Sequence, residues 1–265
     1  MEYKTKNLYF DQVFRRENVI MKALHDFFFA IASFPRLLIE VFLRKDFGCR
    51  YYSFASAMTV AVILLAWPVA ICQGFALNSE PAETAIGRMM RPTFFSHYFV
   101  WYLYTAAFIF FSWCRKKEID RNPSTFDFGH FSLSTGTIHG FFHNLRFRGK
   151  SLSPRTIQIW VEPALFFALG VILFLGRQNI GIVIMVAAIC YSFSYAAAYK
   201  KGDDFVLDTI DEMIVNEEKE DAFVNDEEPE NTRGVRFYTR KPKDKELRAK
   251  VAEKFEEAPQ TAFVL

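Results

Sequence analysis

The sequence predicts an all-α integral membrane protein, with four transmembrane helices preceded by an interfacial amphipathic helix and followed by a cytoplasmic, partly disordered tail. Three observations carry this reading. Hydrophobic residues make up 51% of the chain while mean hydropathy is only +0.06, so the apolar residues are gathered in blocks. Four such blocks, at about 54–77, 95–114, 157–175 and 180–199, each come close to the roughly 20 residues that cross a bilayer. Basic residues crowd the segment before the first block and the loop between the second and third, and are sparse in the other two connections.

The N-terminal segment, 1–53, is polar at first and then turns amphipathic over 19–45. At about 100° per residue, Lys22, His25, Asp26, Ser33, Arg36, Glu40 and Arg44 share one face, and the rest is largely Leu, Ile, Val, Phe and Ala. This pattern predicts a helix lying in the membrane interface and bent near Pro35, with Lys22, Arg36 and Arg44 on lipid headgroups. A re-entrant hairpin turning at Pro35 is the second possibility. Glu40 and Arg44 stand in the favourable order for an i,i+4 ion pair.

The first block has no charged residue; Trp67-Pro68 predicts a kink, and Ser53, Ala57 and Ala61 form a small-residue row that lets helices approach closely. The second is crowded with aromatics, including Tyr98, Trp101, Tyr104 and Phe108. The third carries one charge, Glu162, followed by Pro163. An ionisable residue in a span is a functional candidate by default. The alternative is that it snorkels to the interface or pairs with Lys200 or Arg115. Only Gly176-Arg177-Gln178-Asn179 separates the third block from the fourth, which predicts a tight antiparallel hairpin.

The loop 115–156 is long enough to hold structure. Its stretch Asp127–Gly136 predicts turns or a short hairpin. Arg146 and Arg148 interleave with Phe142 and Phe147, which suits contact with anionic headgroups. His139 and His143 stand at i,i+4 spacing, with His130 nearby, but no acidic residue occupies the position a zinc protease would need. Interfacial anchoring is the simpler account of these histidines, and no metal site is expected.

The tail, 200–265, opens with an acidic helix whose apolar stripe is Val206, Leu207, Ile210, Met213 and Ile214. An anionic bilayer surface repels such a helix, so these five residues are candidates for binding a protein partner. Beyond Arg233 the charge turns basic, and Asp244 stands ready to cap a last helix with Leu247, Val251 and Phe255 on its stripe. Without a partner this tail is expected to be mobile.

The positive-inside rule places both termini and the loop 115–156 in the cytoplasm of a cell inner or plasma membrane. The first 18 residues are too polar for a cleavable signal peptide, so the first span is expected to serve as an uncleaved anchor. The four cysteines form no C-x-x-C pair, which predicts free thiols. Phosphate-binding glycine loops and nucleophile elbows are missing from the sequence, and no cofactor is implied. Basic residues lie beside the spans, so nucleic acid is not an expected partner. The expected function is a non-enzymatic subunit that anchors or scaffolds a larger complex through its cytoplasmic face, of the secretion, conjugation or envelope-machine type. Expected partners are anionic lipid, other subunits of the complex, or a second copy of the chain. A channel or transporter subunit, and a membrane enzyme built on the histidine loop, are the alternatives.

Overall fold

A computed structural model describes residues 9–14, 32, 34–76, 92–144, 146–147 and 150–255, most of them helical. The chain divides into two compact units, His25–Ala197, and Met1–Leu24 together with Ala198–Leu265.

The first unit contains α1 (residues 34–43), β1 (Lys45–Phe47), α2 (Phe54–Ala76), α3 (Pro92–Arg121), β2 (Thr135–Thr137), α4 (Gly140–His143), β3 (Arg146–Phe147), β4 (Lys150–Ser151) and α5 (Pro154–Leu175). The long helix α6 (Ile180–Lys219) begins in this unit and ends in the second. All four apolar blocks fall on these helices, apart from Leu77, which lies outside the described residues. Among the described residues, two helical stretches are long and apolar enough to cross a membrane: α5, and α6 with its π-helical continuation to Val224. The apolar part of α2, Phe54–Ala70, is shorter.

Small residues and satisfied polar groups set the packing. Ala57 and Ala61 are buried in α2, as their four-residue spacing predicts. Across from them, the Trp101 indole donates to the Leu64 carbonyl at 2.7 Å, and the Tyr52 hydroxyl donates to the Ser112 carbonyl at 2.9 Å. Ala164 and Ala168, by contrast, face outward on α5. The close approach of α5 and α6 occurs at Gly170 and Gly181, where a Cβ on Gly181 would stand 2.5 Å from the Gly170 carbonyl oxygen. The predicted tight connection follows: Arg177 takes a left-handed conformation at φ 59°, and the Gln178 N–H closes back on the Leu173 carbonyl at 2.9 Å.

Two expectations for this unit are corrected. The stretch 127–136 does turn, but its strand β2 pairs antiparallel with the distant β1, Lys45 opposite Thr137 and Phe47 opposite Thr135. Gly48 permits this, because a Cβ there would collide with the Ser132 backbone. The local hairpin lies later, between β3 and β4. The second correction concerns the interfacial helix. In α1, Leu38, Ile39, Glu40, Val41 and Leu43 are all buried, so both its apolar and its polar sides are covered by protein. Residues 19–31, with Lys22, lie outside the described residues.

The second unit has its own small core of Phe10, Val215, Ala222, Phe223, Val235, Phe237 and Ala252. The Tyr9 hydroxyl accepts from the Tyr238 N–H at 2.8 Å, tying the N-terminal piece to the tail. Asp244 caps α7 (Lys245–Lys254) as predicted, accepting from the Glu246 N–H. The inward face differs from the predicted stripe: Ala252 is buried and Phe255 packs on the core, while Leu247 and Val251 are exposed. A tail with this core, described as far as Phe255, does not fit the expectation of a mobile segment. Its acidic and basic blocks satisfy each other instead. Arg233 bridges Glu217 and Glu218, and both Lys241 and Arg248 reach Asp226.

Candidate functional site

Among the described residues, a cluster of ionisable and hydroxyl side chains meets inside the first unit. Helical spacing in α1 puts Arg36, Glu40 and Arg44 in one row. On α6 the same spacing aligns Tyr191 and Tyr195, with Ser194 beside them. α5 supplies Glu162, and the turn after β1 supplies Tyr51. Glu40, Arg44, Glu162, Tyr191, Ser194 and Tyr195 are all buried.

Their hydrogen bonds run as one alternating series. Arg44 Nη2 pairs with Glu162 Oε2 at 2.8 Å, and both side chains are 0% exposed. The Tyr191 hydroxyl donates to the same carboxylate oxygen. Arg44 Nη1 donates to the Tyr195 hydroxyl at 2.6 Å, which in turn donates to Glu40 Oε1 at 2.6 Å. Tyr51 also donates to Glu40, at 2.8 Å, and accepts from Arg36. Arg36 Nε stands 3.1 Å from Glu40 Oε1, and its Nη1 donates to Ser194 Oγ at 2.6 Å. The Arg44 guanidinium also lies over the Tyr195 ring, 4.3 Å from its centroid. Two carboxylates thus face two guanidiniums, and tyrosine hydroxyls carry the hydrogen bonds between them.

Burial alone would lower the Arg44 pKa. The surrounding Tyr191, Tyr195, Glu162 and Glu40 outweigh it and hold the guanidinium above its ordinary value. Burial and the neighbouring Glu40 push the Tyr51 hydroxyl well up, so it stays a neutral donor at physiological pH. Groups locked in this way position helices and are poorly suited to exchange protons near neutrality. The Glu162 Oε1 atom and Arg44 Nε are buried without a hydrogen-bond partner.

The network corrects several site expectations. Arg36 and Arg44, expected on headgroups, turn inward to carboxylates and hydroxyls. Glu40 takes Arg36 as its ion-pair partner, four residues before it, while Arg44 goes to Glu162. Arg115, an expected partner of Glu162, is held by Glu118 at 2.6 Å and by the Val41 carbonyl at 3.2 Å.

The remaining candidates are dispersed. Arg146 is exposed in β3, and Arg148 lies outside the described residues. His139 caps α4, its ring nitrogen accepting from the Phe141 N–H at 3.3 Å. The His143 side chain is outside the described residues. His130 lines a separate small cavity of about 180 Å³ with Phe47, Cys49, Asn122 and Thr125. Among the described residues, no three His, Cys, Asp or Glu side chains gather closely enough to hold a metal ion.

On the acidic half of α6, Val206, Leu207, Ile210 and Met213 are exposed by 43–55%, and the adjacent Phe205 by 69%. Ile214, predicted as part of the same stripe, is half-buried. In comparisons with known proteins, the chain matches no protein family, no curated protein and no solved structure.

Proposed function

We propose that this protein is a non-enzymatic, multi-pass membrane subunit that anchors a larger assembly through its cytoplasmic face. In this reading the four apolar helices are spans, and the positive-inside rule places both termini and the loop 115–156 in the cytoplasm. The observation that carries the proposal is the exposed stripe Val206, Leu207, Ile210 and Met213, on a helix that runs without a break from an apolar, membrane-length segment. Full burial of one such side chain is worth about 1.5–3 kcal/mol, so a row of them left in water favours association. The charged network supports the same reading. Its two carboxylates and two guanidiniums are matched, which favours a locked bundle over a transport path or a catalytic centre.

Topology is tested with reporters placed after Leu265, near Ser124 and near Pro81. The first two are expected to report cytoplasm and the third the outside. Anchoring is tested by purifying the full chain from membranes in mild detergent, with and without Ile210→Asp. The expected result is loss of co-purifying subunits with membrane insertion intact. Retention of every partner and of the native oligomer would remove the basis of the proposal.

A further inference from the structure

We infer that the stripe on α6 receives a basic amphipathic helix of another protein, with apolar residues at i, i+3, i+4 and i+7 flanked by Lys or Arg. The inference rests on the anchoring reading and adds the chemistry of the partner. Charge decides between the possible occupants. From Asp203 to Glu218 the helix carries Asp203, Asp204, Asp208, Asp211, Glu212, Glu217 and Glu218, and no basic residue.

These acids line the two ends and one edge of the stripe. At about 100° per residue, Val206, Ile210 and Met213 form its centre line, with Leu207 along one edge. Asp203 and Glu217 continue that line at its two ends, and Asp204 and Asp211 run alongside Leu207. Glu217 is already engaged by Arg233, as is Glu218, but Asp204 and Asp211 are exposed beside the apolar row. A second copy presenting the same face would bring two acidic rows together, which opposes pairing. An anionic bilayer is repelled for the same reason. A helix whose apolar row is bordered by cations satisfies both the exposed apolar surface and the acidic border. This is the helix-in-groove manner of recognition, with i, i+3, i+4 and i+7 anchors.

The test uses the full chain in its native membrane. A photo-crosslinking amino acid replaces Ile210, which is exposed and leaves both cores untouched, and the adduct is mapped by mass spectrometry. The expected adduct is a segment of another protein with an apolar helical row and flanking Lys or Arg. The crosslink yield should fall at least tenfold when Asp204→Lys and Asp211→Lys are introduced together. An adduct to a protein segment without basic residues, or a yield indifferent to those two substitutions, would overturn the basic-helix inference while leaving anchoring intact. Adducts only to a second copy of this chain would overturn the basic-helix inference alone, and adducts only to lipid would overturn both.

Discussion

Two of the sets of ion pairs among the described residues hold the protein in opposite ways. In the first unit, Arg44 and Glu162 are 0% exposed and 118 positions apart in sequence. In the second, Arg233 is 51% exposed and meets Glu217 and Glu218, 16 and 15 positions away. Exposed pairs contribute little, because water and salt screen them and two long side chains must be ordered. Buried pairs differ in kind. Their desolvation cost offsets much of the attraction, but removing one partner strands a charge where no solvent can reach it. The first set therefore specifies which helices belong together, while the second assists a core that Phe223 and Phe237 already define.

The largest expected effect comes from stranding Arg44. Glu162→Gln removes the charge with little change of shape. It should destabilise the first unit by about 3–5 kcal/mol, read as a lower unfolding midpoint of the purified chain by tryptophan fluorescence. A glutamate that merely snorkelled to the interface would tolerate this change, so an unaltered midpoint would refute the buried pair. Replacing both partners at once, Arg44→Met with Glu162→Leu, should recover most of the loss.

A smaller effect is expected from Tyr195→Phe. It deletes the hydroxyl that accepts from Arg44 and donates to Glu40, leaving two buried charged groups each short of one bond. The cost should be about 1–3 kcal/mol by the same measurement. If Tyr195→Phe matched Glu162→Gln in effect, the tyrosine bridge would be carrying the coupling assigned here to the ion pair.

The smallest effect belongs to the exposed set and depends on pH. Hydrogen bonds from Lys241 and Arg248 hold the Asp226 carboxyl below its ordinary value. Because the folded pKa is the lower one, the contribution is complete above the ordinary aspartate value of about 4 and is lost as pH falls through the folded value. Amide exchange near Asp226 and in α7 should therefore accelerate slightly below about pH 4. Asp226→Asn should remove that acid-dependent step while leaving exchange in α1 unchanged. An equal response in α1 would mean that the two regions are not energetically separate.

Much of the helical framework was legible because apolar blocks are a local property. The four blocks, the Gly176–Asn179 connection and the Asp244 cap are each defined by neighbours in sequence, and helices form there. Glu162 was legible as a site for the same reason, being a lone carboxylate in an apolar run. Its partner was not. Arg44 sits in a row with the period of a surface helix, and nothing in that period distinguishes a face turned to headgroups from one turned to Tyr191, Tyr195 and Glu162. The available signal was Tyr191 and Tyr195 at four-residue spacing in a segment without charges, a pair of buried hydroxyls that needed partners. The tail is less legible because its core draws single apolar residues from far apart, with Phe10 supplied by the other end of the chain. Local composition in the tail reports only charge.

The buried pair also has a consequence for biosynthesis. Arg44 leaves the ribosome 118 residues ahead of Glu162 and 151 ahead of Tyr195. At a synthesis rate of about 5–20 residues per second, its guanidinium waits on the order of ten seconds for its counter-charge and longer for its hydroxyl. During that interval Arg44 lacks Glu162 and Tyr195, which offset its desolvation in the finished fold, so burying it is costly while α2 and α3 are laid down. Closure of the network around Arg44 thus waits for the hairpin that α5 and α6 form.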